Sequence, residues 1–169
     1  MKPISELRTT LSFFPQEINS SVRYFSEKVI IDYDVFLPSR KINLQRDFVW
    51  NLAQKRELIW SILMKRHIPR MAMINTIENV YQVIDGKQRL STMIDFYNNK
   101  FNLLIEDEFY LFKDLPEDYK NAIIGYHFSY YIVNEEYSRQ ITDNEKIDWF
   151  KFINFAGTPQ DTLHFKKIK

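Results

Sequence analysis

Cysteine is absent from the 169 residues, which removes disulfide frameworks, zinc ribbons and thiol nucleophiles together. Histidine occurs three times, at His67, His127 and His164, spaced too widely to suggest a metal-ligand cluster. Neither sign of charge dominates, with 23 Lys and Arg against 22 Asp and Glu. A uniformly basic nucleic-acid coat is therefore excluded, although a local basic face is not. No stretch approaches the roughly 20 apolar residues that span a bilayer. The N-terminal MKPISELRTT also lacks the apolar core of a secretory signal. These two absences predict a cytoplasmic protein with no membrane partner. Glycine numbers only three, at Gly86, Gly125 and Gly157. A chain that uses glycine so sparingly needs it where it occurs, for a positive φ or a close backbone approach.

What is present is a globular composition, 45% hydrophobic and 27% charged, with aromatics at 16%. Fourteen Phe and ten Tyr predict a core built largely from rings. Charge divides along the chain. Residues 39–100 hold 11 basic and 5 acidic groups, whereas residues 105–148 hold 4 basic and 11 acidic. Two readings fit: solvated faces of opposite sign, or an anion-handling first half beside an acidic second half.

Residues 1–169 carry no repeat or linker and are read as one domain, with 1–27 a helical lead-in interrupted at Pro15. Leu7, Leu11, Phe14 and Ile18 set the helical spacing there. Alternation in KVIIDYDVFL predicts a strand over 28–37, ended by Pro38. Leu58, Ile59, Ile62 and Leu63 predict a helix over 51–65 with Asn51 as its cap. A hairpin follows, MAMIN at 71–75 and VYQVI at 80–84. A helix then opens directly after Asp85-Gly86, with Leu90, Met93, Ile94 and Tyr97 on one stripe. Beyond it come a short strand near 109–112, a helix over 115–125 ending at Gly125, and an aromatic strand over 128–133. A last helix is announced by the capping box Thr142 to Glu145. Strands and helices without regular alternation predict an α+β fold.

Asp85-Gly86-Lys87-Gln88-Arg89 is the most informative stretch, lying where a buried strand gives way to an amphipathic helix. A helix N-terminus presents unpaired N–H groups and partial positive charge. Gly86 permits close approach, Arg89 can offer a forked guanidinium to a phosphate, and Lys87 adds a second cation. Asp85 can orient an arginine, hold a divalent cation or cap the helix. The alternative is a plain strand–helix turn. Gln45-Arg46-Asp47-Phe48-Val49-Trp50 is the second element. Its Arg46 pairs either with a carboxylate or with a ligand anion, and Trp50 serves as core or as a wall of a base pocket.

Together these stretches resemble the N-terminal domains of GmrSD-type restriction proteins, of the ParB/sulfiredoxin-like superfamily. The resemblance runs through QRDFVW at 45–50 and IDGKQRLST at 84–92, with Ser61-Ile62-Leu63 and Ile68-Pro69 between them. A third element comprises Phe150, Ile153, Asn154, Gly157, Thr158 and Pro159. Lys87 departs from the family pattern, which has Gln there. The resemblance implies a compact ParB-like domain, a small mixed sheet flanked by helices, that binds and often hydrolyses nucleoside triphosphates with Mg²⁺. By that likeness Asp85, Gln88, Arg89 and Gln45 are the catalytic candidates, and Asp85 the candidate metal ligand. Arg46, Gly86, Lys87, Arg89, Asn154 and Thr158 are the nucleotide-binding ones. The expected role is phage or foreign-DNA restriction, with DNA and a nuclease domain or subunit as partners. The chain itself offers no H-N-H or other nuclease constellation. A non-catalytic DNA- or protein-binding module of the same fold, or a fragment lacking its nuclease partner, is the rival reading.

Other clusters carry less. Glu106-Asp107-Glu108 and Glu135-Glu136 read as solvated loops, and Asp32 and Asp34 as an exposed strand face or part of a Mg²⁺ site. Phe128-Ser129-Tyr130-Tyr131 reads as core packing ahead of base stacking.

Overall fold

The computed structural model describes residues 13–155. Leu7 and Leu11 of the expected lead-in, and the motif residues Gly157, Thr158 and Pro159, lie outside the described residues. Within them the order is β1 (Gln16–Ser21), α1 (Val22–Lys28), β2 (Ile30–Asp32), β3 (Phe36–Leu37) and β4 (Ile42–Asn43). Then come α2 (Leu52–Leu63), β5 (Met71–Asn75), β6 (Val80–Asp85), α3 (Lys87–Tyr97), β7 (Leu103–Ile105) and β8 (Glu108–Tyr110). A 3-10 turn (Phe112–Asp114), α4 (Glu117–Ile124), β9 (His127–Asn134) and α5 (Asp143–Phe155) complete it. The fold class is α+β.

Five strands make one mixed sheet in the order β1-β9-β5-β6-β2. β5 is its centre, antiparallel to β6 and parallel to β9. Its sequence, MAMIN, is apolar at four successive positions because both faces are covered. Met71 and Met73 point into a core shared with Phe25, Ile59, Ile62, Leu90, Met93 and Phe96. Ala72 and Ile74 point the other way, toward Leu37, Leu44, Trp149 and Phe150. The ring-rich composition is used in packing: Phe25 meets Tyr81, Phe128 and Tyr130 at centroid distances of 5.2–5.5 Å. Phe128 and Tyr130 are therefore core residues, not a stacking platform.

Several expectations hold at the level of single residues. Asn51 caps α2 in a reciprocal box with Gln54. Thr142 and Glu145 form the expected box at the start of α5, Thr142 N–H donating to Glu145 Oε2 at 2.9 Å. The turn between β5 and β6 places Asn79 at φ 58°.

Others are corrected. Residues 16–21 of the lead-in are a strand, not helix. Their backbone pairs antiparallel with β9 at every position, from Gln16–Ile132 to Ser21–His127, and that tertiary partner overrides local spacing. Helix begins only at Val22, where Ser21 accepts from Tyr24 N–H. The expected strand over 28–37 is broken in its middle. Asp32 Oδ1 accepts from the N–H groups of Asp34 (3.1 Å) and Val35 (2.9 Å), folding the chain into a tight turn. Asp32 and Asp34 thus do not share a strand face. Glu106 and Asp107, both at positive φ, are the two-residue turn of the β7–β8 hairpin, so the short strand expected near 109–112 is the second of a pair. Glu135 Oε1 accepts from Ile141 N–H at 2.8 Å, a loop brace.

Burial of phenols has a measurable consequence. Desolvation pushes Tyr81 up to about 12 and also raises Tyr33 and Tyr130. The folded state therefore retains protons that the unfolded chain releases near pH 10. Stability is full below that pH and declines as pH rises through it. Urea unfolding between about pH 9 and 11 should show a falling midpoint. A constant midpoint would contradict this packing.

Candidate functional site

The junction of β6 and α3 is built around one glycine. Gly86 has φ 102°, in the left-handed region that side chains avoid. A Cβ there would stand 2.7 Å from Met71 Sδ and 2.9 Å from Met71 Cβ. Both reasons expected for a scarce glycine apply, and the close approach is to the chain's own β5. A bulge between Ala72 and Met73 sits opposite, with Ala72 registered on Asp85. Gly86 occupies the cap position of α3 and supplies no side-chain bond. Among the described residues no side chain caps the first-turn N–H groups of α3, and Asp85 is not the cap.

Asp85 instead orients an arginine. Arg89 Nη2 donates to Asp85 Oδ2 at 2.6 Å, and both side chains are more than four-fifths buried. Arg89 Nη1 donates to the carbonyl of Pro69 and, at 3.3 Å, to that of Arg70. This guanidinium joins the end of β6, the first turn of α3 and the segment entering β5.

The two glutamines are connectors as well. Gln45 Nε2 donates to the carbonyls of Val83 (2.9 Å) and Ile84 (2.5 Å). Gln88 Oε1 accepts from Val49 N–H (3.0 Å) and Trp50 N–H (3.2 Å), and its Nε2 donates to the carbonyl of Asp47. Residues 45–50 are thereby laid against the 83–88 junction, two stretches that the sequence separates by some forty positions.

Lys87, buried in the first turn, reaches Asp34 Oδ1 at 2.6 Å. Arg46 differs from the other cations here. It is half-buried, and among the described residues no hydrogen bond or ion pair engages it. The carboxylate pairing that the sequence left open for it is not formed there. Gln45, Arg46, Trp50, Asp85, Gly86, Lys87, Gln88 and Arg89 line one cleft of about 140 Å³.

The two motifs singled out in the sequence thus meet in space. Asn154 stands apart from that lining: buried on α5, its Nδ2 donates to the Phe150 carbonyl one turn back. Thr158 lies outside the described residues. Missed in the sequence were the carbonyl acceptors at Pro69 and Arg70 and the role of Asp34. Ile68-Pro69 as a motif was the one signal for the former. As for a metal, no three His, Cys, Asp or Glu side chains converge among the described residues. No described helix is long and apolar enough to cross a membrane.

The family model described as GmrSD restriction endonuclease, N-terminal domain, matches residues 27–167 and spans all three motifs. The chain belongs to that family, and so is a domain of DNA-restriction, or defence, type. No curated protein and no solved structure gives a match.

The geometry separates the two arginines by role. Arg89→Ala would leave Asp85 buried without its partner and should lower stability by about 2–4 kcal/mol. Arg46→Ala should change it by no more than about 0.5 kcal/mol. Equal losses for the two variants in urea unfolding would contradict the assignment. Gly86→Ala, strained in φ and against Met71, should cost about 2 kcal/mol or more. A Gly86→Ala protein as stable as the parent would refute the account of the turn.

Proposed function

We propose that the cleft receives the phosphates of a nucleoside triphosphate, and that the domain serves DNA restriction by coupling nucleotide binding to a nuclease segment or partner. One observation carries the reading. Arg46, free of any ion pair among the described residues, shares a cleft with the uncapped start of α3. Backbone N–H groups and helix dipole favour an anion there, and an unengaged guanidinium supplies the countercharge.

Size limits what the cleft can enclose. At about 140 Å³ it is smaller than the ~300–1,000 Å³ of a typical small-molecule pocket. That space suits phosphates, and the nucleoside would extend outward past Trp50. Mg²⁺ would arrive with the phosphates, since it commonly takes one or two carboxylates and completes its shell with phosphate oxygens and water. Asp85 is the carboxylate in the lining, with Oδ2 committed to Arg89. Arg46 is the principal phosphate contact in this reading. Arg89, Gln45 and Gln88 hold the cleft in shape.

The non-catalytic alternative has its own support. The amides of Gln45 and Gln88, which the family likeness makes catalytic, are engaged with the backbone of the facing motif. An amide so held is not free to position a water. Binding without turnover is the form of the proposal this favours.

Calorimetric titration of each nucleoside triphosphate with Mg²⁺ tests it. The folded parent should bind at least one of them, and Arg46→Ala should weaken that affinity about tenfold or more. Absence of binding to every nucleotide, or an undiminished affinity in Arg46→Ala, would overturn the proposal. Phosphate release during the same titrations would select turnover over simple binding.

A further inference from the structure

Two ion pairs flank Gly86, and they differ in a way that assigns them different work. Asp85 and Arg89 are both shielded, with side chains 18% and 15% exposed. In the other pair Lys87 is 10% exposed but Asp34 is 59% exposed. The acid of the second pair can return to water at little cost, whereas its lysine stays at the cleft wall. The pair is exchangeable from one side only.

Asp34 is also placed to sense the cleft. Its carbonyl accepts from Gln45 N–H at 3.2 Å, so the turn that carries it is tied to the stretch bearing Arg46. Lys87 itself sits at the positive end of α3, a poor place for a cation unless an anion is near. Asp34 fills that need within the protein.

We propose that Asp34 is a built-in competitor for phosphate and sets the charge an incoming anion must bring. The inference rests on the phosphate-cleft reading and deepens it. With Asp34 in place, Arg46 is the one cation of the lining that stands unpaired among the described residues. A singly phosphorylated anion meets that charge and the N–H groups of α3. A polyphosphate carries enough charge to take Lys87 from Asp34 as well, gaining a second cation already at the wall. Asp34 is thus a specificity residue that holds Lys87 back from any anion too weakly charged to displace it, and every anion that does reach Lys87 binds against that competition.

Substitution isolates this role cleanly. The turn is held by Asp32 Oδ1 and not by the Asp34 side chain, so Asp34→Asn retains the turn's hydrogen bonds. Inorganic triphosphate and orthophosphate are titrated calorimetrically into the parent, Asp34→Asn, Lys87→Gln and the double variant. Asp34→Asn should bind triphosphate about tenfold more tightly than the parent, with an equal or smaller gain for orthophosphate. On the Lys87→Gln background the same substitution should have little effect. Damage to the fold would weaken binding, so a gain that depends on Lys87 has no merely structural explanation. If the parent binds triphosphate and Asp34→Asn binds neither anion more tightly, the competitor role is wrong and the phosphate cleft stands. If neither parent nor variant binds either anion, the cleft reading fails and this inference fails with it.

Discussion

The guanidinium of Arg89 is the tie on which the cleft depends. It reaches Asp85 at the end of β6 and the carbonyls of Pro69 and Arg70 ahead of β5, while its own backbone lies in α3. Three segments that hydrophobic packing alone would leave free to slide are fixed at one point. A shielded ion pair is a poor source of net stability, because desolvating both charges offsets most of their attraction. Its value here is geometric. Once Asp85 is buried it needs this partner, and the direction of the fork determines how strand, helix and loop meet.

Gln45 and Gln88 extend that tie to the preceding segment. Each crosses between residues 45–50 and the 83–88 junction, one giving its N–H groups and the other mainly accepting. The result is a cleft whose walls are braced by polar side chains and whose unengaged cation is Arg46 among the described residues. Rigid walls with one free charge favour binding, because little ordering remains to be done when an anion arrives. Membership of the GmrSD restriction endonuclease N-terminal family places this cleft in a DNA-defence setting. The chemistry argued for it stands on the side chains themselves.

Much of this was legible in the sequence, for identifiable reasons. The scarcity of glycine pointed to Gly86, and the turn does require it. Caps at Asn51 and Thr142 were readable because their bonding partners lie three residues away. The MAMIN and VYQVI runs, joined by a short polar turn around Glu78-Asn79, marked the central hairpin. What escaped was whatever depended on distant partners. The strand at Gln16–Ser21 exists because β9 lies beside it. The strand over 28–37 was interrupted by a single Asp32 side chain turning on its own backbone. Within the site, residue positions were readable but their work was not. Gln45 and Gln88 bond to backbone atoms far along the chain, and nothing local distinguishes a bracing amide from a catalytic one. Asn154 illustrates the opposite case: part of a motif, yet bonded within its own helix.

The central claim is that the start of α3 and Arg46 together form a seat for phosphate. Its most direct test is a nuclear magnetic resonance titration of the ¹⁵N-labelled protein with inorganic triphosphate. The account predicts saturable shifts at the backbone amides of Lys87, Gln88 and Arg89, at the Trp50 indole and at the Arg46 side chain. Shifts confined to surface lysines remote from the cleft, or none at all, would contradict it.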